Sequence, residues 1–370
     1  MTAGVARVMG MMSGTSLDGV DAALIDTDGV RITGFGRSGY RAYSDNEAGL
    51  LHAVLGQWQG GTGVPEAAAL SVTAHAALAQ DFPEAELIGY HGQTLAHDPQ
   101  GQGTHQAGCG ATLAQQTARP VVWDFRTEDV RQGGEGAPLA PFFHWACAEW
   151  ARGQGLLPDA PVMFLNLGGV GNLTWVDPRA KAPEAPGACM AFDTGPANAP
   201  INDLMRKRLR RERDEGGSLA LSGKVDEGLV SAFLRHPYFE RRPPKSLDRD
   251  QFGGLPALVE GLGDADAAAL LTEIAAASVA AGIRWLPAMP AQILVCGGGR
   301  HNQAMMAALA RRIDVAIGPV EVAGLNGDML EAQAFGWLAM RVIRGLPTSG
   351  PETTGAPWPV CGGRISYPRK

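Results

Sequence analysis

The sequence lacks paired cysteines and a surplus of positive charge, and each absence excludes classes of protein. Its five cysteines are widely scattered among 370 residues and form no CxxC pair, so neither a disulfide framework nor a zinc site is expected. Lys and Arg number 31 against 38 Asp and Glu, a formal net charge of −7, so nucleic acid is not expected as the main partner. The one basic stretch, residues 206–213, is interrupted by Leu and Glu and is better interpreted as a solvated helix face.

A long apolar run near the N-terminus is also lacking. The apolar stretch after Arg7 extends only to Met12, which is too short for the apolar segment of a secretory signal or for a membrane span. We therefore expect a cytoplasmic protein without a membrane partner.

The size and the alternation of segments predict a two-domain α/β protein. A chain of 370 residues exceeds what one hydrophobic core usually serves, and predicted strands alternate with predicted helices. Residues 265–285 and 331–343 have helical patterns, and residues 292–296 form an apolar strand pattern. A Gly- and Pro-rich boundary near residues 153–161 is consistent with an N-terminal domain and a C-terminal domain. The expected ranges are 1–140, joined by a C-terminal tail of about 345–370, and 141–344.

One supersecondary unit occurs twice. Residues 5–25 contain an apolar run, a loop rich in Gly and hydroxyl side chains, and a second apolar run. Residues 162–176 repeat this order around Gly168-Gly169. Two copies in two halves of the chain indicate a duplicated architecture with a site between the halves.

The first of these loops has the composition of a phosphate-binding loop. Glycines let backbone N–H groups approach phosphate oxygens, and hydroxyl groups can donate further hydrogen bonds. Its two carboxylates, Asp18 and Asp21, are candidates for holding Mg²⁺ through water. The loop lacks the GxxxxGK[ST] spacing, and a plain polar hairpin turn is an equally weighted alternative. The residues assigned to ATP binding here are Gly14, Thr15, Ser16, Leu17, Asp18, Gly19, Val20 and Asp21.

Two later glycine clusters extend this assignment. The cluster at 168–172 could hold the phosphates from the other side, and the cluster at 297–299 could admit the nucleobase or ribose. A dinucleotide-binding turn is the alternative for the triple glycine, but neither cluster follows the GxGxxG spacing. The residues assigned to ATP binding here are Gly168, Gly169, Asn172, Gly297, Gly298 and Gly299.

Asp193 is the candidate catalytic residue. It ends an apolar pair just before a turn and a predicted helix. A carboxylate there could take a proton from an attacking hydroxyl or water. The alternative is a helix N-cap, a very common role of Asp at such a position, and the local sequence taken alone favours the cap.

Two polar segments follow other strand patterns. His91 and His97 are conceivable metal ligands, but no third ligand has a recognisable spacing, so a substrate-facing loop is preferred. Arg126 could bind a carboxylate or phosphate through its planar fork, with a surface salt bridge as the equal alternative.

These motifs resemble those of the anhydro-N-acetylmuramic acid kinase family. Residues 12–21, Met-Ser-Gly-Thr-Ser-Leu-Asp-Gly-Val-Asp, match its N-terminal signature. Later motifs follow in the family's order at residues 89–94, 124–126, 133–139, 166–169, 192–196, 245–246, 296–302 and 331–339. The chain departs from the family pattern at three places: Ala197 replaces Gly, Glu135 replaces Gln, and residues 247–250 replace Thr-Gly-Arg-Glu.

The resemblance implies an actin-like (ribonuclease H-like) kinase fold with duplicated mixed sheets and an interdomain cleft. It also implies that ATP phosphorylates O6 of 1,6-anhydro-N-acetylmuramic acid while water opens the ring at C1, giving N-acetylmuramic acid 6-phosphate for peptidoglycan recycling. The carboxylate matching the family base is Asp193, and Mg²⁺ is the implied metal. The residues expected to bind the amino sugar are His91, Thr94, Arg126, Asp129 and Glu331.

Three alternatives stay open at this point. They are another actin-fold sugar kinase, a glycosidase, and a nucleotide-driven binding ATPase. A glycosidase would not need two phosphate-type loops, and a chaperone-like ATPase should carry an added peptide-binding domain. A homodimer is also left open.

Overall fold

The computed structural model describes residues 4–247 and 251–369. Its internal contacts divide the chain into two compact units. The first unit comprises Met1–Trp150, Lys181–Pro186 and Met329–Lys370, and the second comprises Ala151–Ala180 and Gly187–Asp328.

The first unit is built on a seven-stranded mixed sheet. An antiparallel meander, β1–β2–β3, forms one side, and β4 and β6 pair in parallel on the other side of β1. β12 pairs with the outer edge of β6, and β5 pairs with the extension of β4. The strands are β1 (Ala6–Ser13), β2 (Gly19–Thr27), β3 (Ile32–Ala42), β4 (Leu87–Asp98), β5 (Gly103–Ala107), β6 (Val121–Trp123) and β12 (Arg364–Ser366).

The second unit repeats this strand order in a five-stranded sheet. β7, β8 and β9 form an antiparallel meander, and β10 and β11 continue in parallel from β7. The strands are β7 (Val162–Leu167), β8 (Val170–Val176), β9 (Cys189–Pro196), β10 (Gln292–Cys296) and β11 (Ala316–Pro319). The duplicated order, three antiparallel strands and then two parallel ones, confirms the predicted α/β class with duplicated mixed sheets of the actin-like type. The cleft expected between two domains stays a prediction.

Helices cover the two sheets. Those whose residues lie mainly in the first unit are α1 (Asp45–Ala53), α2 (Val64–Ala79), α3 (Gly110–Thr117), α4 (Thr127–Arg131), α5 (Ala140–Gly153), α12 (Leu330–Ile343) and α13 (Pro351–Thr354). Those of the second unit are α6 (Asn198–Leu204), α7 (Ser218–Ser222), α8 (Glu227–Phe233), α9 (Leu255–Leu258), α10 (Asp264–Ile283) and α11 (Gln303–Arg312).

Local sequence explains where several helices begin. Ser44 and Glu47 form a reciprocal capping box at the start of α1, which satisfies backbone N–H groups that have no partner within the helix. Asn302 caps α11 by accepting from the Met305 N–H. α10 is long and apolar enough to cross a membrane by length and composition, yet most of its apolar stretch is buried inside the second unit.

The second unit ends at Asp328, before α12, whereas the predicted C-terminal domain extended to residue 344. α12 packs against β1, β2 and β4, so it belongs to the first unit rather than to the range 141–344. The approach is close: a Cβ at Gly10 or at Gly89 would overlap the carbonyl oxygens of Ala332 and Phe335 respectively. The assignment of these units as functional domains stays a prediction.

Candidate active site

The predicted phosphate loop is a tight turn between β1 and β2. The Leu17 N–H bonds to the Gly14 carbonyl (3.3 Å), and Leu17 has a left-handed backbone (φ 57°) with a buried side chain. Thr15, Ser16 and Asp18 are exposed, and the Ser16 hydroxyl donates to Asp18 Oδ1 at 2.8 Å. The turn therefore presents its hydroxyl groups and one carboxylate to solvent.

The other residues assigned to this loop lie within β2. Gly19, Val20 and Asp21 are strand residues, and the Val20 side chain is completely buried in the core of the first unit. A Cβ at Gly19 would overlap the Arg41 carbonyl oxygen, whereas a Cβ at Gly14 would meet only Ser16 atoms, 3.3 Å away or more. Glycine is required at position 19 for packing, while position 14 has space beside it.

Two side chains that the sequence did not single out support the turn. Gln93 Nε2 donates to the Gly14 carbonyl at 3.1 Å, and the buried Ser13 hydroxyl donates to Gln93 Oε1 at 2.6 Å. Ser13 also lies 3.0 Å from the Tyr43 hydroxyl. The signal in the sequence that could have identified these two residues is their polarity among apolar strand residues.

His91 and Arg126 are brought together by neighbouring parallel strands. Arg126 Nε donates to His91 Nε2 at 3.1 Å, and Arg126 Nη1 donates to the Gly136 carbonyl at 2.8 Å. His91 Nδ1 lies 2.9 Å from the Gly92 carbonyl, which makes it the donor of a neutral ring. Burial and the positive charge of Arg126 lower the pKa of His91 well below its usual range. The prediction of a surface salt bridge for Arg126 is therefore wrong, because its guanidinium donates to an imidazole and a backbone carbonyl.

The Asp129 carboxylate is an internal anchor. It is 1% exposed and accepts hydrogen bonds from the Gly136 N–H (2.7 Å), the Thr354 hydroxyl (2.7 Å) and the Ser349 hydroxyl. These bonds fix the loop whose Gly136 carbonyl receives Arg126. Its geometry suits positioning of that loop better than direct contact with a sugar.

Thr94 and Glu331 complete the set expected to bind sugar. Thr94 Oγ1 accepts from Gln106 Nε2 at 3.3 Å on the paired strand β5. Glu331 lies in the first turn of α12 with an exposed side chain. Desolvation of the Glu331 carboxyl by the surrounding protein raises its pKa, and the nearby positive charge of Arg126 opposes that rise.

In the second unit, two glycine clusters lie at the carboxyl ends of adjacent parallel strands. The Gly168-Gly169 turn follows β7, and Gly297 follows β10. Gly297 has a positive φ of 71°, and a Cβ there would overlap Asn166 Oδ1. Asn198 Nδ2 donates to the Leu167 carbonyl at 2.7 Å, which holds the start of α6 against the same turn. The two glycine turns therefore lie at the same edge of this sheet.

A cavity of about 260 Å³ adjoins the triple glycine. Gly298 and Asn302 line one part of it, and residues 213–216 line another. Gly298 has open space where a Cβ would be, with the nearest atom, Asn198 Nδ2, 3.9 Å away. Residues 213–216 were missed by sequence reasoning, since their polar composition resembles any exposed loop.

Asp193 lies on β9 at this same edge. Its backbone pairs opposite Asn172 of β8, next to an irregularity in the register. Its Oδ2 accepts from the Leu247 N–H at 2.7 Å, and Oδ1 accepts no hydrogen bond from the part of the chain that the structure describes. Burial raises the pKa of the Asp193 carboxyl to about 6, and the Leu247 N–H acts against that rise.

The helix-cap alternative for Asp193 is wrong. The cap of α6 is Ala197, without a side-chain hydrogen bond, and Asp193 is a strand residue four positions earlier. The Asp193 carboxylate instead receives its N–H from residue 247, more than fifty residues further along the chain. Ala197, one of the departures from the family pattern, is buried, and residues 248–250 of another departure lie outside the described residues.

Metal binding by protein side chains alone has no candidate in the described ranges. Within residues 4–247 and 251–369, no group of three or more His, Cys, Asp or Glu side chains could hold an ion. His91 Nε2, one of the two conceivable histidine ligands, is already the acceptor of Arg126. A metal here would need ligands from a bound phosphate and water.

The family model for anhydro-N-acetylmuramic acid kinase matches residues 6–368. The kinase of that name from Cereibacter sphaeroides is 60% identical over 365 residues, covering 99% of this chain and 97% of the relative. The one from Ruegeria sp. is 55% identical over 365 residues, covering 99% and 96%. Among solved structures, the activator of 2-hydroxyisocaproyl-CoA dehydratase from Clostridium difficile with bound ADPNP aligns with 91% of this chain and 96% of its own, at 13% identity and a TM-score of 0.44.

The duplicated fold and the family match define an ATP-using kinase. The chain belongs to the anhydro-N-acetylmuramic acid kinase family. The predicted family, enzyme class and co-substrate are thereby confirmed.

Proposed function

We propose that the protein converts 1,6-anhydro-N-acetylmuramic acid, ATP and water to N-acetylmuramic acid 6-phosphate and ADP, with Asp193 as the base toward water. Family membership supports the reaction, which belongs to peptidoglycan recycling. The observation that carries the assignment of the base is the Asp193 carboxylate itself. One oxygen is held by a backbone N–H and the other is free of protein partners in the described part of the chain.

The raised pKa of Asp193 suits this role. A carboxyl with a pKa of about 6 is mostly ionised at neutral pH, yet it is more basic than an ordinary aspartate. General bases work best when their pKa lies near the working pH. Burial therefore increases the tendency of Asp193 to accept a proton from water without keeping it protonated.

The bond changes balance with one carboxylate. Water oxygen attacks C1 as the C1–O6 bond breaks, and the proton of the water passes to Asp193 Oδ1. O6 forms a bond to the γ-phosphorus while the bond from that phosphorus to the β-phosphate oxygen breaks, releasing ADP. An inverting glycosidase needs a second carboxyl group as acid. Here the phosphoryl group takes the negative charge of O6, so that acid is not required.

For ATP, we propose that the glycine clusters of the second unit and the turn after β1 bind the phosphates. The cavity beside Gly298 would receive the nucleoside, since it is concave and open at that glycine. The Thr15 hydroxyl is exposed and available as a donor, whereas the Ser16 hydroxyl would have to leave Asp18 Oδ1 before it could donate to a phosphate. Gly14, which has space beside it, would contribute its backbone N–H group rather than a side chain.

Mg²⁺ belongs to the proposal as well. Asp18 and Asp21 are three residues apart across the start of β2, roughly 10 Å between Cα atoms at strand spacing, so they would not both bind one ion directly. An arrangement with one direct or water-mediated carboxylate, phosphate oxygens and several waters fits the preference of Mg²⁺. The ion would neutralise phosphate charge during transfer.

The sugar would be held by Arg126, His91, Thr94 and Glu331, with Asp129 acting through the loop that it anchors.

Cytoplasmic location is part of the proposal, supported by the thiols of five free cysteines. A homodimer is proposed without a defined interface, and light scattering of the purified protein at micromolar concentration tests it.

An isotope experiment tests the reaction. Purified protein is incubated with the anhydro sugar and ATP in H₂¹⁸O, and the product is fragmented in a mass spectrometer. One ¹⁸O at C1 and none in the phosphate is expected, because water attacks carbon and O6 is phosphorylated. Omission of ATP should give no ring-opened sugar. Ring opening without ATP would instead indicate a glycosidase, and ¹⁸O-labelled inorganic phosphate without phosphorylated sugar would indicate plain ATP hydrolysis.

A further inference from the structure

Hydrogen bonds link Asp193, Tyr238 and Lys245 in a closed ring. The Tyr238 hydroxyl donates to the Asp193 carbonyl, and the Asp193 N–H donates to the Lys245 carbonyl at 3.0 Å. The Lys245 ammonium closes the ring by donating to the Tyr238 carbonyl at 3.2 Å. Two residues after Lys245, the Leu247 N–H reaches Asp193 Oδ2 at 2.7 Å.

Lys245 occupies an unusual environment for a lysine. Only 6% of it is exposed, and its ammonium lies 4.4 Å from the centre of the Tyr238 ring and 5.7 Å from that of Phe192. No carboxylate pairs with it among the described residues. Burying an ammonium group without an anionic partner is unfavourable, so its retention here calls for a role beyond packing.

We propose that Lys245 is a positioning residue for the base: its ammonium, held by Tyr238, fixes residues 245–247 so that the Leu247 N–H binds one Asp193 oxygen and leaves the other for water. The proposal rests on the proposed function of Asp193. It explains why the carboxylate, which lies on a strand with an irregular register, has one defined orientation. A base displaced by about 1 Å can lose on the order of a hundredfold in rate.

The charged groups near this ring set the expected pH behaviour. Tyr238 is the titratable group beside Asp193, while Arg284, Arg241 and Glu240 act on Lys245. Burial is the main cause that lowers the pKa of Lys245 to about 8, with the two arginines adding to it. Because the Leu247 N–H lowers the pKa of Asp193, loss of that bond should raise it.

The test compares Lys245→Met with a matched control, Lys224→Met, which removes an exposed lysine of the same unit. For Lys245→Met we expect kcat to fall about tenfold to a hundredfold with little change in the KM for ATP. The acidic limb of its pH profile should move to higher pH. Lys224→Met should match the wild type, and Lys245→Arg, which keeps a cation and donors, should recover part of the lost rate.

Carboxyl ¹³C NMR gives a readout that does not depend on activity. With Asp193→Asn used to assign the signal, the Asp193 pKa should be higher in Lys245→Met than in the wild type. If Lys245→Met does not fold, Lys245→Gln serves instead: it also removes the ammonium that donates to the Tyr238 carbonyl and should raise the Asp193 pKa as well. An unchanged Asp193 pKa in a folded variant would overturn the positioning role. A wild type without kinase activity would overturn the proposed function instead, whatever the NMR result.

Discussion

At the scale of single residues, the carboxylate of Asp193 combines a catalytic demand with a cost in stability. Asp193→Asn keeps the side-chain shape and can still accept from the Leu247 N–H, but it cannot take a proton from water. Turnover should therefore fall by about a hundredfold to ten-thousandfold while ATP and sugar still bind. Steady-state kinetics and calorimetry on the same preparation measure both. Near-normal turnover in this variant would remove Asp193 from the mechanism.

The same variant should gain stability above pH 6. The pKa of Asp193 is raised from 3.8 to about 6 on folding, so the folded state holds this proton more tightly than the unfolded state. As pH rises from about 4 to 6, the unfolded chain ionises first and the wild type loses up to about 3 kcal/mol. Urea denaturation should show Asp193→Asn more stable than the wild type at pH 8 and equal to it near pH 4. Equal stability at both values would contradict the raised pKa.

Arg126 offers a second prediction at this scale. Arg126→Ala removes the donor to His91 Nε2, which then becomes a buried acceptor without a partner, at a cost of about 1–3 kcal/mol. It also removes the cation expected to face the sugar. The KM for the sugar should rise more than tenfold, whereas the KM for ATP should change little. Arg126→Lys is the matched variant, and it should keep charge but lose the forked geometry. A rise in the KM for ATP alone would argue against sugar binding.

At the scale of elements, two adjacent glycines after β10 separate folding from ligand binding. Gly297→Ala would place a Cβ against Asn166 at a positive φ, so it should destabilise the protein by about 1–3 kcal/mol. Gly298→Ala meets open space and should fold normally, yet it should weaken ATP binding if the nucleotide lies against this loop. Thermal unfolding and calorimetric titration of both variants check this. Unchanged ATP affinity in Gly298→Ala would exclude the loop from the nucleotide site.

Much of this element pattern was predictable because it is local. The apolar run before the triple glycine was expected at residues 292–296 and is β10, and the pattern at 331–343 is α12 within one residue. The spacing of apolar residues predicts such segments, because each strand or helix buries one or both of its faces. The β-hairpin design around Gly14 and around Gly168-Gly169 was predicted for the same reason.

The surroundings of Asp193 were not predictable in this way. Local sequence made a helix cap the commoner role, since a turn and a helix follow. Its actual partners, Tyr238 and residues 245–247, are 45 to 54 positions away and reach it through irregular segments. No periodicity encodes such contacts. The family resemblance supplied the catalytic role, while only the tertiary structure supplied the hydrogen bonds that fix it.

At the scale of the whole molecule, the first unit depends on segments from both ends of the chain. A fragment of residues 1–150 would lack α12, which covers β1, β2 and β4, and also β12, which pairs with β6. We expect this fragment to be largely unfolded by circular dichroism and hydrogen exchange, because its sheet would expose one apolar face. Adding residues 329–370 as a separate peptide should restore protection. A fragment that is natively protected without the peptide would contradict this view.

The distant origin of α12 and β12 has a consequence for biosynthesis. A ribosome adds roughly 5–20 residues per second and releases the N-terminal part first. The strand that pairs with β6, β12, is synthesised some 240 positions after it. The second unit, whose residues end at Asp328, is complete before the first. The order of synthesis and the order of completion are therefore reversed. During that interval the exposed β1–β4 surface is a candidate substrate for a chaperone. A chain truncated after residue 328 and released from the ribosome should have a protease-resistant second unit and a cleavable first unit.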